Sequence, residues 1–532
     1  MRFRIRLLFS SVTLLGALAL DSACATQFDP LTCANDGQCA SGQACIAAAA
    51  GGPAYCTAVK TCKTDDDCGA NLACVPRGNA NICGSGADFP ITVGQSAPQT
   101  GPSKDLGLEM NRGVQLAFDE ANANGGIRGR KVNMEFIDDQ YTPALAEQNA
   151  RKLVDVQVGE GAPKCPTTTT PPATGDAFSQ TALLPGPKAV LAVIGSVGTP
   201  TMVRSAPVVV ETGRLYFGAF TGAAAMLRDD KAGPCKKYIF NVRASYGQEA
   251  RATLEYFLKL GMPDDTHLIS FDQNDTFGDA GYNGLVAAWT ALKGAAPANL
   301  KRYRYTRDDV NSVPAQAQAT IDQVTKILTD DTKGGNHTIG ILMTDTYGPG
   351  SQYIKALRDW QYGPQTTLNQ GTRVRFLFSN VSFVGPNSLA TRLKDLGTLN
   401  TPSGQPKPYT DDVYVSQVMP NYSSDTSQAV LDYKKAIGAT GAAPTYTSFE
   451  GYVVGRIFVE GLRANRQAFT PDNLVTAFES LATLNIGLGG FIGFSSTSHQ
   501  ASKSIWGTAI NPDGSFSDKY FWSDGAAIQL VE

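Results

Sequence analysis

The sequence predicts an α/β protein of two successive parallel-sheet domains, with a small disulfide-rich module ahead of them. Three observations carry this. From Phe89 onward, apolar runs of strand length alternate with amphipathic helical patterns. Eight of the eleven cysteines fall between Cys33 and Cys83. The chain, at 532 residues, is too long for one ordinary core.

The first residues, MRFRIRLLFSSVTLLGALALDSAC, place three arginines before an apolar run that closes on small residues and a cysteine. Residues 1–23 therefore read as an export signal whose apolar stretch is too short for a stable bilayer span. Its end resembles the bacterial lipobox, in which a cysteine becomes the lipid-modified first residue of the mature chain. Cys24 fits that role, with Asp21 where an aliphatic residue is usual, and residues 24–32 would be the linker to the anchor. The alternative is an ordinary signal cleaved near Ala23 or Ala25. With Cys24 lipidated, ten cysteines remain, an even number that can pair completely in an oxidising compartment. By the same analogy, Ala25 after Cys24 leans towards the outer membrane.

Within residues 33–84 the cysteine spacing repeats. Cys33, Cys39, Cys45 and Cys56 are followed 29, 29, 29 and 27 residues later by Cys62, Cys68, Cys74 and Cys83. A segment this short and polar cannot hold together by burial, so disulfides should staple it as a duplicated module. A zinc site is the competing reading, but the segment has no C-x2-C pair and no histidine. The module is expected to be a spacer or an interaction domain.

The α/β series begins with FPITVGQSAPQTG, a strand and its loop, followed by the amphipathic helix MNRGVQLAFDEANANGG. KVNMEFIDD alternates as a strand, and Pro143 suits the first turn of the helix after it, where a missing N–H is harmless. A Thr/Pro-rich insertion around PTTTTPPATG reads as a surface loop. AVLAVIGS and LYFGAF are buried strands. After Cys235 the alternation resumes: HLISFD, a helix from Ala280, a strand near KRYRYT, a helix from Pro314 to Leu328, TIGILMTD, and a helix containing YIKALRDW. VRFLFSN, DDVYVSQ, helices around SQAVLDYKKAIG, TSFEGYVVGRIFVEGLRAN and PDNLVTAFESL, and the pair within SIWGTAINPDGSFSDKYFW complete the chain.

Residues 89–532 resemble, along nearly their whole length, the type I periplasmic binding proteins of the branched-chain amino acid (leucine-binding) family of ABC transporter receptors. The matching stretches are VGQSAPQTGP, NRGVQLAFDEANANGGIRGRKVNMEFIDDQYTPALA, VIGSVGTPT, GRLYFGAFTGA, IFNVRASYGQEA and SFEGYVVGRIFVEGLRA. The resemblance implies a two-lobed fold with parallel sheets and three hinge crossovers. These would lie near Asn241, near Gln417 to Pro420, and near Ser498 to Ala501. Lobe 1 would hold residues 89–241 and 420–498, and lobe 2 residues 242–419 and 499–532. Such proteins close by hinge motion around a small ligand at the carboxyl ends of the strands.

The resemblance also implies ligand contacts. Thr199 matches a position where the family uses a hydroxyl and neighbouring N–H groups to hold the ligand carboxylate, and otherwise reads as a helix cap. Thr221, with Ala219 and Phe220, matches the next loop. Tyr347 in TDTYGPG and Phe277 in NDTFGDAG match cleft positions of lobe 2, where either could instead be an ordinary core or loop aromatic. Leu106 matches a ring position. Ser382 aligns with the glutamate that pairs with the ligand ammonium in leucine-binding members, and a buried ammonium without a carboxylate is costly. The solute is thus expected to be a small amino acid, amide or carboxylate. Asp345 or Asp272 could replace the glutamate, but each reads better as a strand-end cap at the surface. Lobe 1 disulfides in some family members suggest a Cys165–Cys235 bridge; mixed pairing with the N-terminal module is the alternative.

Catalysis finds no support. There is no G-x-S-x-G elbow, no H-E-x-x-H and no P-loop lysine. FDQND has Phe277 where a calcium loop needs glycine. The three histidines, His267, His337 and His499, read as strand-edge or loop residues, His499 as a surface residue near the third crossover with a hinge role as the alternative. No cofactor or metal is expected. The formal net charge of -3 offers no field for nucleic acid or an anionic membrane surface. The expected function is capture of a small solute outside the cytoplasm, on the periplasmic or cell-surface face, and its delivery to an ABC permease with its ATPases. The alternative is a ligand-binding sensor or surface-adhesion lipoprotein.

Overall fold

The computed structural model describes residues 32–35, 38–40, 42–47, 53–63, 67–68, 72–77, 80–85, 89–160, 181–223, 236–362, 373–401 and 404–531. Contacts group the described residues into two compact units, one within Met1–Thr61 and Arg77–Ala80, the other within Cys62–Pro76 and Asn81–Glu532. The signal segment, Cys24, Cys165 and Cys235 lie outside the described residues.

Each cysteine copy folds as a hairpin. In the first, β1 (Gln43–Ala47) pairs antiparallel with β2 (Ala54–Ala58). In the second, β3 (Leu72–Arg77) pairs with β4 (Ala80–Ser85). Both copies join first to third and second to fourth cysteine: Cys33–Cys45 and Cys39–Cys56, then Cys62–Cys74 and Cys68–Cys83. All eight thiols are consumed, which removes the ligands a zinc ion would need.

The first parallel sheet is built by β5 (Ile91–Ala97), α1 (Lys104–Ala123), β6 (Val132–Asp138) and α2 (Pro143–Leu153), then β9 (Ala192–Ile194), α3 (Thr199–Glu211), β10 (Leu215–Phe217) and β11 (Ile239–Phe240). Between them, β7 (Val156–Glu160) and β8 (Thr181–Pro185) form a separate antiparallel ribbon. The strand order β11-β10-β9-β5-β6 reverses direction of winding at β5, and a doubly wound sheet opens a crevice at that point.

The second sheet collects α4 (Tyr246–Lys259), β12 (Leu268–Gln273), α5 (Thr276–Lys293), β13 (Lys301–Tyr305), α6 (Val313–Asp330), β14 (His337–Thr344), α7 (Tyr347–Tyr362), β15 (Val374–Val381) and α8 (Pro386–Asp395). A short ribbon, β16 (Thr398–Asn400) with β17 (Pro406–Pro408), precedes β18 (Val413–Gln417). The chain then leaves to form α9 (Gln428–Gly438), α10 (Tyr446–Ala464) and α11 (Pro471–Glu479). It returns as the antiparallel edge of β19 (Ser504–Ile510), β20 (Phe516–Ser523) and β21 (Gln529–Leu530). The result is an eight-stranded sheet ordered β13-β12-β14-β15-β18-β19-β20-β21.

Helix α10 is the seam of the first lobe. It packs along α1 so closely that a Cβ added at Gly113 would stand 2.0 Å from the Ser448 carbonyl oxygen. Thr445 and Tyr452 donate hydrogen bonds to Glu109 and Glu120 of α1. Phe217 and Phe240, from sheet strands, meet Phe458 and Phe478 with ring centroids 4.7 to 5.2 Å apart. Removing one of these fully buried rings, as in Phe217→Ala, would cost about 3–5 kcal/mol.

The crossovers run side by side. Asn241 donates from its N–H to His499 O, Ala501 N–H donates to Asn241 O, and Ser502 N–H donates to Val242 O. One reading changes here, that of His499, whereas His267 and His337 lie at strand edges as expected. His499 is buried, not at the surface: its ring stacks on Phe240 with centroids 4.0 Å apart, between the Ile239 carbonyl and the Glu479 carboxylate. His267 and His337 form a pair, with Nε2 of one 3.0 Å from Nδ1 of the other.

Candidate functional site

The loop after β9 ends at Gly198, which has φ 101° and lies so near Tyr141 that a Cβ would stand 2.3 Å from its ring. Glycine is required there on both counts. Thr199 is then the first residue of α3 and is not the cap. Its hydroxyl lies 2.7 Å from that of Thr221, and Thr221 Oγ1 lies 3.3 Å from Tyr246 Oη at the start of α4. The first turn of α3 thus begins at a pair of buried hydroxyls, an arrangement that favours an anion. Phe220 N–H donates to Ser196 O, and Thr221 N–H donates to Ala219 O, which sets the loop carrying Ala219, Phe220 and Thr221.

From the second lobe, Phe277 lies in α5, which starts at Thr276, four residues before the expected Ala280. The Asp275 carboxylate accepts from Phe277 N–H and caps this helix. Phe383 is the meeting point: its ring is 4.7 Å from Phe277, 5.1 Å from Phe220 and 6.1 Å from Tyr141. Neither Phe383 nor Tyr141 nor Tyr246 stood out in the sequence, because each reads as a core aromatic until the lobes are brought together.

Ser382, directly before Phe383, is held by a carboxylate from another element. Glu249 of α4 accepts from Ser382 N–H at 2.7 Å, Ser382 Oγ at 3.0 Å and Ser416 Oγ at 2.8 Å. Burial pushes the Glu249 carboxyl upward, and the nearby Arg243 guanidinium and these hydrogen bonds oppose that shift. Arg243, fully buried, lies 3.5 Å from Glu249 and 3.6 Å from Glu450 of α10, with its guanidinium 4.8 Å above the Phe220 ring centre. Phe220, Ser382, Gln417, Tyr446 and Glu450 line a narrow crevice between the lobes.

The lobes are closed upon each other. Ser103 Oγ donates to Asp308 at 2.7 Å, Ser388 Oγ donates to Asp105 at 2.9 Å, and Gln273 Nε2 donates to Tyr141 Oη at 3.4 Å. The Tyr347 hydroxyl donates to the Pro102 carbonyl. Tyr347 lies with Leu106 beside Gly385, at the rim of the lobe boundary, whereas Thr199, Phe220, Thr221, Phe277 and Ser382 gather around Phe383 and Tyr246.

Neither aspartate considered as a replacement carboxylate is a surface cap. Asp272 is fully buried and bonded to Arg302 and Arg304, each also bonded to Asp279. Asp345 is fully buried with no hydrogen-bond partner on either carboxylate oxygen, and burial raises its pKa well above the ordinary range.

Residues 90–169 and 187–360 match the family described as Periplasmic binding protein. The chain is 39% identical to Leu/Ile/Val-binding protein BraC3 of Rhizobium johnstonii over 85 residues, 16% of this chain and 21% of that protein. It is 37% identical to Leu/Ile/Val-binding protein homolog 3 of Brucella melitensis over 70 residues, 13% of this chain and 19% of that protein. The matched stretch therefore spans about a fifth of the length of these curated relatives. Among solved structures, a possible leucine/isoleucine/valine-binding protein from Rhodopirellula baltica superposes with a TM-score of 0.61 at 26% identity, covering 80% of this chain and 95% of that one. A branched chain amino acid ABC transporter protein from Thermus thermophilus with bound valine gives 0.57 at 14% identity, covering 83% and 97%, a likeness of fold.

Proposed function

Because this chain has the two-lobed α/β fold of the periplasmic binding proteins, which are not enzymes, we propose that it is the solute-binding protein of an ABC transporter and takes a branched-chain amino acid or a close relative. The observation that carries this is the convergence of the Thr199 and Thr221 hydroxyls with the start of α3, on the loop whose Phe220 joins the Phe277 and Phe383 rings. One end of that cleft suits a carboxylate and the other an apolar side chain. Thr199, Ala219, Phe220, Thr221, Phe277 and Ser382 are the proposed contacts, with Tyr347 closing the rim. The lobes are proposed to run over 89–241 with 420–498 and over 242–419 with 499–532, so that a solute enters when they part at the three crossovers.

Delivery to a permease and its ATPases outside the cytoplasm belongs to the same proposal, as do the signal at residues 1–23, lipidation of Cys24, the linker 24–32 and a Cys165–Cys235 bridge. Among the described residues no helix is long and apolar enough to cross a membrane; the membrane attachment proposed is the lipid on Cys24. The disulfide-bonded hairpins of residues 33–84 favour a second reading, in which the clamp reports a solute to a partner protein that the hairpins contact.

The deciding experiment is a thermal-shift screen of the full chain, disulfides intact, against leucine, isoleucine, valine, phenylalanine, short-chain amides and aromatic carboxylates. A solute at a hundred times its Kd should add about 2.7 kcal/mol and raise Tm by at least about a degree. No shift across the panel would overturn the transport reading in favour of the sensor.

A further inference from the structure

The crevice sets Tyr446 and Glu450, which are not among the proposed contacts, beside Phe220 and Ser382, which are. Ser382 has a single hydroxyl proton, and a carboxylate, Glu249, takes it at 3.0 Å while also accepting the Ser382 N–H at 2.7 Å. A hydroxyl committed as donor to a carboxylate can offer only its lone pairs elsewhere. Ser382 Oγ is therefore an acceptor towards the crevice. Glu450, 3% exposed, contributes carboxylate oxygens on the facing wall. Two carboxylates and the one guanidinium of Arg243 give this cluster a formal charge of minus one.

We infer, resting on the solute-binding reading above, that Glu249 is a specificity-determining residue. It acts through Ser382, whose Oγ with the Glu450 carboxylate gives the inner end of the cleft two acceptors that select solutes presenting a hydrogen-bond donor there, an ammonium above all. The carboxylate influence reaches Ser382 from α4, 133 residues earlier in the chain, and not from the strand end itself. Glu249 touches no solute in this arrangement. It is a positioning residue: its oxygens are occupied by Ser382, Ser416 and Arg243. Ser416, at the end of β18, closes the other side of the same carboxylate, so Glu249 also ties α4 to two neighbouring strands of the sheet.

The test compares two solutes of one carbon skeleton, L-leucine and 4-methylpentanoate, which lacks the ammonium. Titration calorimetry is carried out on the full chain, on Glu249→Gln and on Ser382→Ala. The wild type should bind leucine at least about 10-fold more tightly, the scale of one charge-assisted hydrogen bond. In Glu249→Gln the ratio should fall below about 3-fold while affinity for 4-methylpentanoate stays within about 2-fold of wild type. Retained 4-methylpentanoate binding reports a folded cleft, which a merely structural loss would not spare. If Glu249→Gln does not fold, Ser382→Ala, which leaves Glu249 in place and removes the acceptor, should give the same collapse. A wild-type preference for 4-methylpentanoate, or an unchanged ratio in every folded variant, overturns the inference alone. Binding of neither solute to the wild type overturns the solute reading and this inference with it.

Discussion

The hydroxyls of Thr199 and Thr221, from successive strand-to-helix loops of one sheet, lie 2.7 Å apart and are all but inaccessible to solvent. Each satisfies the other while the lobes are closed, so neither is left as a buried orphan. A carboxylate arriving at the start of α3 would exchange this mutual bond for two charge-assisted ones. Thr199→Val keeps the volume and removes the hydroxyl. Leucine affinity, measured by calorimetry, should drop about 10-fold, and an unchanged Kd would take Thr199 out of the site.

Polar contacts at the rim help to hold the lobes closed. Ser103 with Asp308 and Ser388 with Asp105 both cross the lobe boundary. The double variant Ser103→Ala, Ser388→Ala loses about 1 kcal/mol per bond, which favours the open form. Small-angle scattering without solute should show a larger radius of gyration than wild type, and added leucine should restore the compact value.

Asp345 makes alkaline pH costly. Its carboxyl is fully buried and without a partner, so the protonated form is favoured in the folded state and its pKa lies far above that of the unfolded chain. The stability this group contributes is complete below the unfolded value of about 3.9 and is lost as pH rises towards the folded one. Asp139 adds a fall of the same sign, because burial pushes its pKa up to about 7 against the hydrogen bonds from Ser96 and the Tyr141 N–H. Asp345→Asn removes the first term only. Its melting temperature relative to wild type should climb steadily between pH 5 and 9, and parallel curves would refute a protonated Asp345.

The cysteine pairing is directly checkable. Non-reducing peptide mapping of residues 33–84 should recover Cys33–Cys45, Cys39–Cys56, Cys62–Cys74 and Cys68–Cys83. Loops of this length stabilise by about 3 kcal/mol each in the chain-entropy view, so replacing Cys39 and Cys56 by serine should open the first hairpin to protease.

Most of the architecture was legible because buried parallel strands are short apolar runs, and ILMT, LYF and VRFLF are of strand length and alternate with longer helical patterns. The duplicated cysteine spacing announced a stapled, duplicated module, although spacing alone could give neither its hairpins nor which cysteine joins which. What escaped is what depends on distance in the chain. Glu249 looks like an ordinary helix residue until α4 meets β15 and β18. Asp345 and Asp272 looked like surface caps because aspartate at a strand end usually is one. His499 reads as a loop residue in SSTSHQA, yet Phe240 and Glu479, 259 and 20 positions away in number, fold over it. The earlier start of α5 did have a local signal: Asp275 two residues before Phe277 is an N-cap.

The fit of α1 against α10 has a consequence for synthesis. The partners joined by Glu109 to Thr445 and by Glu120 to Tyr452 are separated by 336 and 332 residues. A growing chain has made the whole apolar face of α1, Gly113 included, long before the helix that covers it exists. The first lobe cannot finish folding until nearly all of the chain has left the ribosome. The first lobe thus stays incomplete while the chain is being made, and an incomplete fold is easier to thread across a membrane than a finished one.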